Sequence, residues 1–202
     1  MNGTQKSIIY KAMKIRQDNG ENIVDILKGY KNLTDTEKSE ILSEFGLEYT
    51  QSLEEIKAKK ISELSDICKS KIEAGVTIKI DDVDETFSYG IESGDQGNID
   101  DIFSLAVSTG LPQPYHCNGG SCKLYTVEQI SELYVAVKML KTKETTYFNQ
   151  LKKYIEDCID EEVVKNIEYG YELTGEYLDT YNSIMQQSQT IIEALGKQGL
   201  KV

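Results

Sequence analysis

Tryptophan is absent from this sequence, histidine occurs once and proline twice in 202 residues. A single histidine, His116, leaves little room for the acid–base and nucleophilic sites that histidine most often serves. So few prolines, with no low-complexity run, exclude long disordered linkers. No apolar run approaches the roughly 20 residues that cross a bilayer. The opening "MNGTQKSIIYKAMKIR" also lacks the apolar segment of a signal peptide, so synthesis and retention in a cytoplasm are expected unless the chain leaves within a larger particle. Cys68, Cys117, Cys122 and Cys158 form no dense framework, and that compartment favours free thiols.

What is present is acidic and unevenly placed. The net charge is -12; residues 79–101 carry one basic against eight acidic residues, 123–155 six against three, and 156–202 three against ten. Such acidity repels phosphate backbones, and the one basic segment has no aromatic–basic motif, so neither nucleic acid nor an anionic membrane is an expected partner. The length admits one ordinary core, or a domain of about 100 residues with helical extensions; the patterning favours the second.

The first 50 residues read as a small helical headpiece. "SIIYKAMKIRQ" and "NIVDILKGY" carry apolar residues at helical spacing, and Thr34 with Glu37 forms a capping box before a helix that Gly46 stops. A second capping box, Ser52 with Glu55, opens a longer helix that reaches Gly75, although Lys57, Lys59 and Lys60 interrupt its apolar face. From Val76 the period changes to alternation: Val76, Ile78 and Ile80 lead into a polar turn "DDVDE", and "TFSYG" returns as the second strand of a hairpin. Asp95 is placed to cap a helix ending near Gly110. Thr126 and Gln129 then start the longest helical pattern, with Gly170 expected to end or bend it.

The last segment repeats three-four spacing through Tyr177, Tyr181, Ile184, Ser188, Ile191 and Leu195, flanked by Leu178, Met185 and Ile192. That stripe is buried either by folding back as an antiparallel pair on the 127–158 helix, or by self-association, or by docking onto another protein.

"PYHCNGGSCKLYT", 114–126, holds the most varied chemistry in the chain. His116, Cys117 and Cys122 offer three metal ligands, but a structural zinc site takes four, usually from paired short cysteine spacings, and no second pair exists. The hairpin reading uses every residue: Asn118, Gly119 and Gly120 supply positive-φ positions for a tight loop, and the cysteines are packing residues beside it. The acidic runs Asp81, Asp82, Asp84, Glu85 and Asp95, Asn98, Asp100, Asp101 lack the spacing of a calcium loop. No glycine-framed serine or phosphate-cradling loop is present.

Five features in order, "KKISELSDICKSKIEAGV", "FSYG", "DQGNIDDI", "PYHCNGGSCKLYT" and "EQISELYVAVKMLKTKETTYFNQLKKYI", give residues 58–158 a resemblance to a family of domains of unknown function. These domains occur near the ends of short proteins encoded beside tail-fibre genes in tailed bacteriophages. Independently, "YKAMKIRQDNGENIVDILKGYKNLTDTEKSEILSEFG" resembles very short proteins encoded among baseplate and fibre genes of contractile phages and phage-like particles of Gram-positive bacteria. Neither resemblance covers 159–202. Both imply a phage-tail setting, similar to that of fibre-assembly chaperones, and neither brings catalytic residues or a cofactor.

The expectation is therefore an α+β, mainly helical chain with short β-hairpins packed against long helices. Its parts are a headpiece over 1–50, a tail-fibre-associated domain over 51–158 and an acidic helical extension over 159–202. The function implied is that of a non-catalytic component of a contractile phage tail or phage-derived bacteriocin. It would bind the receptor-binding fibre or baseplate through Tyr177, Tyr181, Ile184, Ile191 and Leu195, with self-association open. It would occupy the bacterial cytoplasm during assembly and the tail afterwards. The alternatives are a transient fibre chaperone absent from the finished particle and a zinc-binding enzyme or regulator built on His116, Cys117 and Cys122.

Overall fold

Asn2 opens the first helix. Its side chain accepts from the Gln5 N–H at 2.9 Å, and its own N–H donates to the Gln5 side chain at 3.0 Å, satisfying two amides that a helix start leaves unpaired. The computed structural model describes residues 2–197, which form two units that divide after Ser52. The first contains α1 (Gly3–Asp18), α2 (Ile23–Lys28) and α3 (Asp35–Ser43). The Thr34–Glu37 capping box is present, and Gly46 takes φ +68 just beyond α3. Met13, Ile23, Leu27, Ile41 and Leu42 form the core of this unit. Lys38 is buried among them because its ammonium donates to the Lys28 carbonyl at 3.4 Å, at the end of α2, and lies over the Tyr49 ring.

The second unit begins with α4 (Leu53–Glu73) and the antiparallel pair β1 (Val76–Ile80) and β2 (Val83–Phe87). The polar turn is shorter than expected. Asp81 and Asp82 alone make it, with φ of 49° and 66°, so Ile80 pairs directly with Val83 and Glu85 becomes a strand residue facing inward. Two successive positive-φ residues match the twist of a two-residue hairpin, and here aspartates occupy positions that glycine fills more easily. Where α4 passes into β1, Gly75 has φ +74, and a Cβ there would lie 1.8 Å from the Phe87 carbonyl oxygen.

Helix α5 (Asp95–Thr109) is preceded by Gly94, with no side-chain cap. Asp95 does not cap it: its carboxylate turns back to accept from the Ser93 hydroxyl at 2.5 Å and the Gly90 N–H at 3.2 Å, closing the loop before the helix. Strands β3 (Gln113–Tyr115) and β4 (Lys123–Tyr125) follow, with Tyr115 opposite Lys123. Their connection, 116–122, is longer than the expected tight turn, and of Asn118, Gly119 and Gly120 only Gly119 has positive φ.

Helix α6 (Val127–Asp157) starts at the Thr126–Gln129 capping box as expected. It ends well before Gly170, because Cys158 is extended and Asp160 caps a separate short helix, α7 (Glu161–Asn166). Helix α8 (Gly175–Gly196) then runs back along α6: Tyr177 reaches Asp157 at one end, and Gly196 lies against Ser131 and Val135 at the other. The pair is antiparallel, and 159–197 belong to the same unit as α4–α6. Met1 and 198–202 lie outside the described residues.

The chain is thus α+β and mainly helical, with two small hairpins packed against long helices. One part of the second unit's core joins Phe87, Tyr89, Ile99, Ala106 and Tyr125 to Ile130, Leu133 and Val137 of α6; another joins Ile56 and Leu64 of α4 to Leu151, Ile155, Val164 and Ile167. Among the described residues, no helix is long and apolar enough to cross a membrane.

The two turns at the first hairpin respond oppositely to substitution. Asp82→Gly relieves a left-handed residue and should raise the unfolding free energy by roughly 0.5 kcal/mol. Gly75→Ala forces a backbone shift and should lower it by more than about 2 kcal/mol. Urea denaturation of the two variants beside wild type checks both signs.

Candidate functional site

The 114–126 segment folds back onto the first hairpin. The Asn118 N–H donates to the Thr86 carbonyl at 2.8 Å, its side-chain oxygen accepts from the Ser88 N–H at 3.2 Å, and its amide donates to the Ser88 hydroxyl at 2.9 Å. One asparagine therefore holds the 116–122 loop against the end of β2. Beside it, the Phe87 ring stacks on Tyr115 and meets Tyr125 edge-on, with centroids 6.2 and 5.8 Å away.

At the centre of this joint lies Glu85, whose residue surface is 7% exposed. Its carboxylate accepts from the Tyr125 hydroxyl at 2.6 Å, pairs with the Lys123 ammonium and has the Cys117 side chain alongside. Burial first, and then the Glu85 bond, raises the Tyr125 phenol; burial and the Asp95 charge push Tyr115 up to about 12. These phenols stay protonated at neutral pH, and Tyr125 donates to Glu85. Gln129, from the capping box of α6, reaches Asp81 in the turn at 3.3 Å, so the helix start is tied to the same hairpin.

This geometry separates the three residues of the alternative zinc reading. Cys117 is half-buried and turned toward Glu85 and Tyr125, whereas His116 and Cys122 are exposed. The His116 Nδ1 sits 3.2 Å from the Cys117 carbonyl, and its ring stacks on Tyr115. Among the described residues no three His, Cys, Asp or Glu side chains converge to hold a metal, and this includes His116, Cys117 and Cys122. All four cysteines are free thiols.

The expected interface residues of α8 divide between two faces. Tyr177 and Tyr181 pack on α6: the Tyr177 hydroxyl donates to Asp157 at 2.9 Å, its ring meets Tyr154, and the Tyr181 ring meets Tyr147 edge-on. Leu195 is half-buried, as are Met185 and Ser188, and Ile192 is buried. The buried stripe thus runs 177, 181, 185, 188, 192, 195–196. Two apolar stripes lie side by side on α8 with the same mean spacing, and packing on α6 places Met185 and Ile192, not Ile184 and Ile191, in the seam. Ile184 and Ile191 face out, 37% and 54% exposed, with Leu178 at 38%.

Tyr147 and Tyr154, which the helical spacing marks as packing residues with bonded hydroxyls, join Tyr169 and Tyr171, which it does not mark, in a cluster that pins the connection between α7 and α8. The Tyr147 hydroxyl donates to the Tyr171 carbonyl and accepts from the Gly170 N–H, both at 2.9 Å, and the Tyr154 and Tyr171 hydroxyls are 3.1 Å apart. The Tyr171 bond, then burial, push Tyr154 up to about 12. Tyr169 donates to the buried Glu144 at 2.9 Å, and Cys68 donates its thiol to the Glu144 carbonyl at 3.5 Å. The signals for it were the number of tyrosines, 13 in a chain with no tryptophan, and the place of Tyr147 and Tyr154 on an apolar stripe. The cluster's hydroxyls give a helical core polar fixtures, and that of Tyr169 bonds the carboxylate of buried Glu144.

No family model, curated protein or solved structure matches the chain.

The hairpin joint carries a pH dependence. Burial opposes ionisation of Glu85, but the Lys123 and Tyr125 bonds outweigh it and leave the carboxyl below its ordinary value. A depressed folded pKa contributes stability that is present above the unfolded value, about 4.3, and is lost as pH falls through the folded value. Glu85→Gln should therefore lower the urea midpoint at neutral pH and approach wild type as pH falls below about 4. A stability gap that widens on acidification would contradict this assignment.

Proposed function

We propose that the chain is a non-catalytic structural or accessory protein of a contractile phage tail or phage-derived bacteriocin, binding the receptor-binding fibre or the adjacent baseplate. The observation that carries this reading is the outer face of α8. Its inner face is occupied by α6, yet Leu178, Ile184 and Ile191 remain exposed, and no charged residue occurs from Thr180 through Ile192. In a chain that is 28% charged, an exposed helical span with isoleucines among Asn, Ser, Gln and Thr has the charge depletion of a protein–protein interface core. Tyr177, Tyr181 and Leu195 support that face from behind, as members of the seam with α6.

The resemblances of 58–158 and of the first stretch supply the class of partner. The chain is made in the bacterial cytoplasm and taken into the tail during assembly. The joint at Glu85 and the tyrosine cluster act as fixtures: their polar groups bond to one another and keep the second unit rigid behind the binding face. No cofactor has a part in this function.

Quantitative mass spectrometry of gradient-purified particles, beside the soluble lysate, tests the assignment: the chain is expected in particles at a fixed ratio to the fibre protein. Presence only in soluble complexes with fibre protein would make it a transient chaperone, and absence from both would remove the tail assignment. Within α8, Ile191→Glu should reduce binding to isolated fibre or baseplate at least about tenfold with little change in the thermal midpoint. Tyr181→Ala, which opens the seam, should lower that midpoint by several degrees. If the two variants exchange these effects, the outer face is the wrong surface.

A further inference from the structure

A groove of about 260 Å³ lies between α4, the segment after β2 and α6. Cys68 and Ile72 of α4 and Phe148 of α6 give it apolar walls, and Ile91 stands at its lip, 65% exposed. The Cys68 thiol is already bonded to the Glu144 carbonyl and adds no free donor. The polar residues lining the groove are Ser65, Lys69, Glu73, Gln96, Lys141 and Thr145.

The two lysines differ. Lys69 is neutralised from both sides, by Glu92 at 2.8 Å and Glu73 at 3.8 Å. Half-buried Lys141 takes part in no ion pair among the described residues; its ammonium donates to the neutral Gln96 side-chain oxygen at 2.7 Å and lies 6.0 Å from the centre of the Tyr89 ring. Gln96 is itself held by donating to the Tyr89 carbonyl at 3.0 Å, which fixes Lys141 at the rim. An ammonium has three donors, and in a partly desolvated groove its attraction for an anion is stronger than in open water.

We propose that this groove binds a segment of a partner protein in which an aliphatic side chain is followed by an acidic residue. The aliphatic group packs on Ile72, Phe148 and Ile91, and the carboxylate pairs with Lys141. The volume lies below the roughly 300–1,000 Å³ of pockets that enclose whole small molecules, and the lip is open, which suits one or two side chains of a passing chain. The assignment rests on the proposed function only in taking the occupant to be a protein. It places a second contact on the unit, formed by residues other than those of the outer face of α8.

The probe is acetyl-Leu-Glu-Leu amide, titrated into the full chain and followed by backbone amide shifts, with the Gln and Lys versions of the peptide as controls. Saturable shifts at Ile91, Lys141 and Phe148 are expected, with the Glu peptide preferred over the Gln peptide about tenfold. Lys141→Met should abolish that preference while leaving the circular dichroism spectrum unchanged, and Lys141→Arg should retain it. Equal affinity for the Glu and Gln peptides, shifts confined to other surfaces, or no saturation at millimolar peptide would overturn the proposal. Tighter binding of free octanoate than of the peptide would overturn the protein occupant in favour of a small carboxylic acid. Peptide binding by a chain missing from particles would remove the tail assignment alone; a particle-bound chain that ignores the peptide would remove the groove alone.

Discussion

Helix α6 must bury apolar surface on several sides at once, and the rest of the second unit follows from how it does so. Near its start, Val127, Ile130, Leu133 and Val137 face the hairpins and α5. Near its end, Leu151 and Ile155 face α4 and α7, while Tyr147 and Tyr154 meet α8. A helix that is apolar on most sides is stable in water only when enclosed. The first hairpin, α5, α4 and α8 are each held to it by packing and by a polar tie: Gln129 to Asp81, Lys138 to Asp100, Lys57 to the Glu156 carbonyl and Tyr177 to Asp157.

The buried lysines show how charge is admitted to these cores. Lys38 in the first unit and Lys57 in the second each place the ammonium on a carbonyl near a helix C-terminus, at Lys28 and Glu156. There the backbone dipole and an unpaired acceptor both favour a cation, and the methylene stem contributes packing on the way. In the sequence both look like solvent-facing residues. Lys57 in particular reads as a break in the apolar face of α4, whereas it is the contact that fixes α4 to the far end of α6.

What the sequence made legible was local. The Thr34 and Thr126 capping boxes depend on residues three apart, and the change from helical to alternating period at Val76 is a property of consecutive side chains; each element forms where these signals place it. The α+β class follows from them. What escaped depends on partners distant in the chain. Asp95 has the composition of a cap, but the nearby Gly90 and Ser93 donors claim its carboxylate. Asn118 looks like a turn residue, and its bonds run to Thr86 and Ser88. The register of α8 was hidden because two apolar stripes lie side by side, and only the surface of α6 selects Met185 and Ile192 over Ile184 and Ile191.

The tyrosines of the α6–α8 seam and of the connection before α8 give this region an optical identity. Tyr147, Tyr154, Tyr169, Tyr171, Tyr177 and Tyr181 pair through centroid distances of 5.2 to 6.5 Å, close enough for their transitions to couple. Because the chain contains no tryptophan, nothing brighter masks them. The near-ultraviolet dichroism of the protein consequently carries a contribution from this seam. Detachment of α8 changes that signal while most of the backbone remains helical, so the spectrum distinguishes loosening of this helix from loss of the fold.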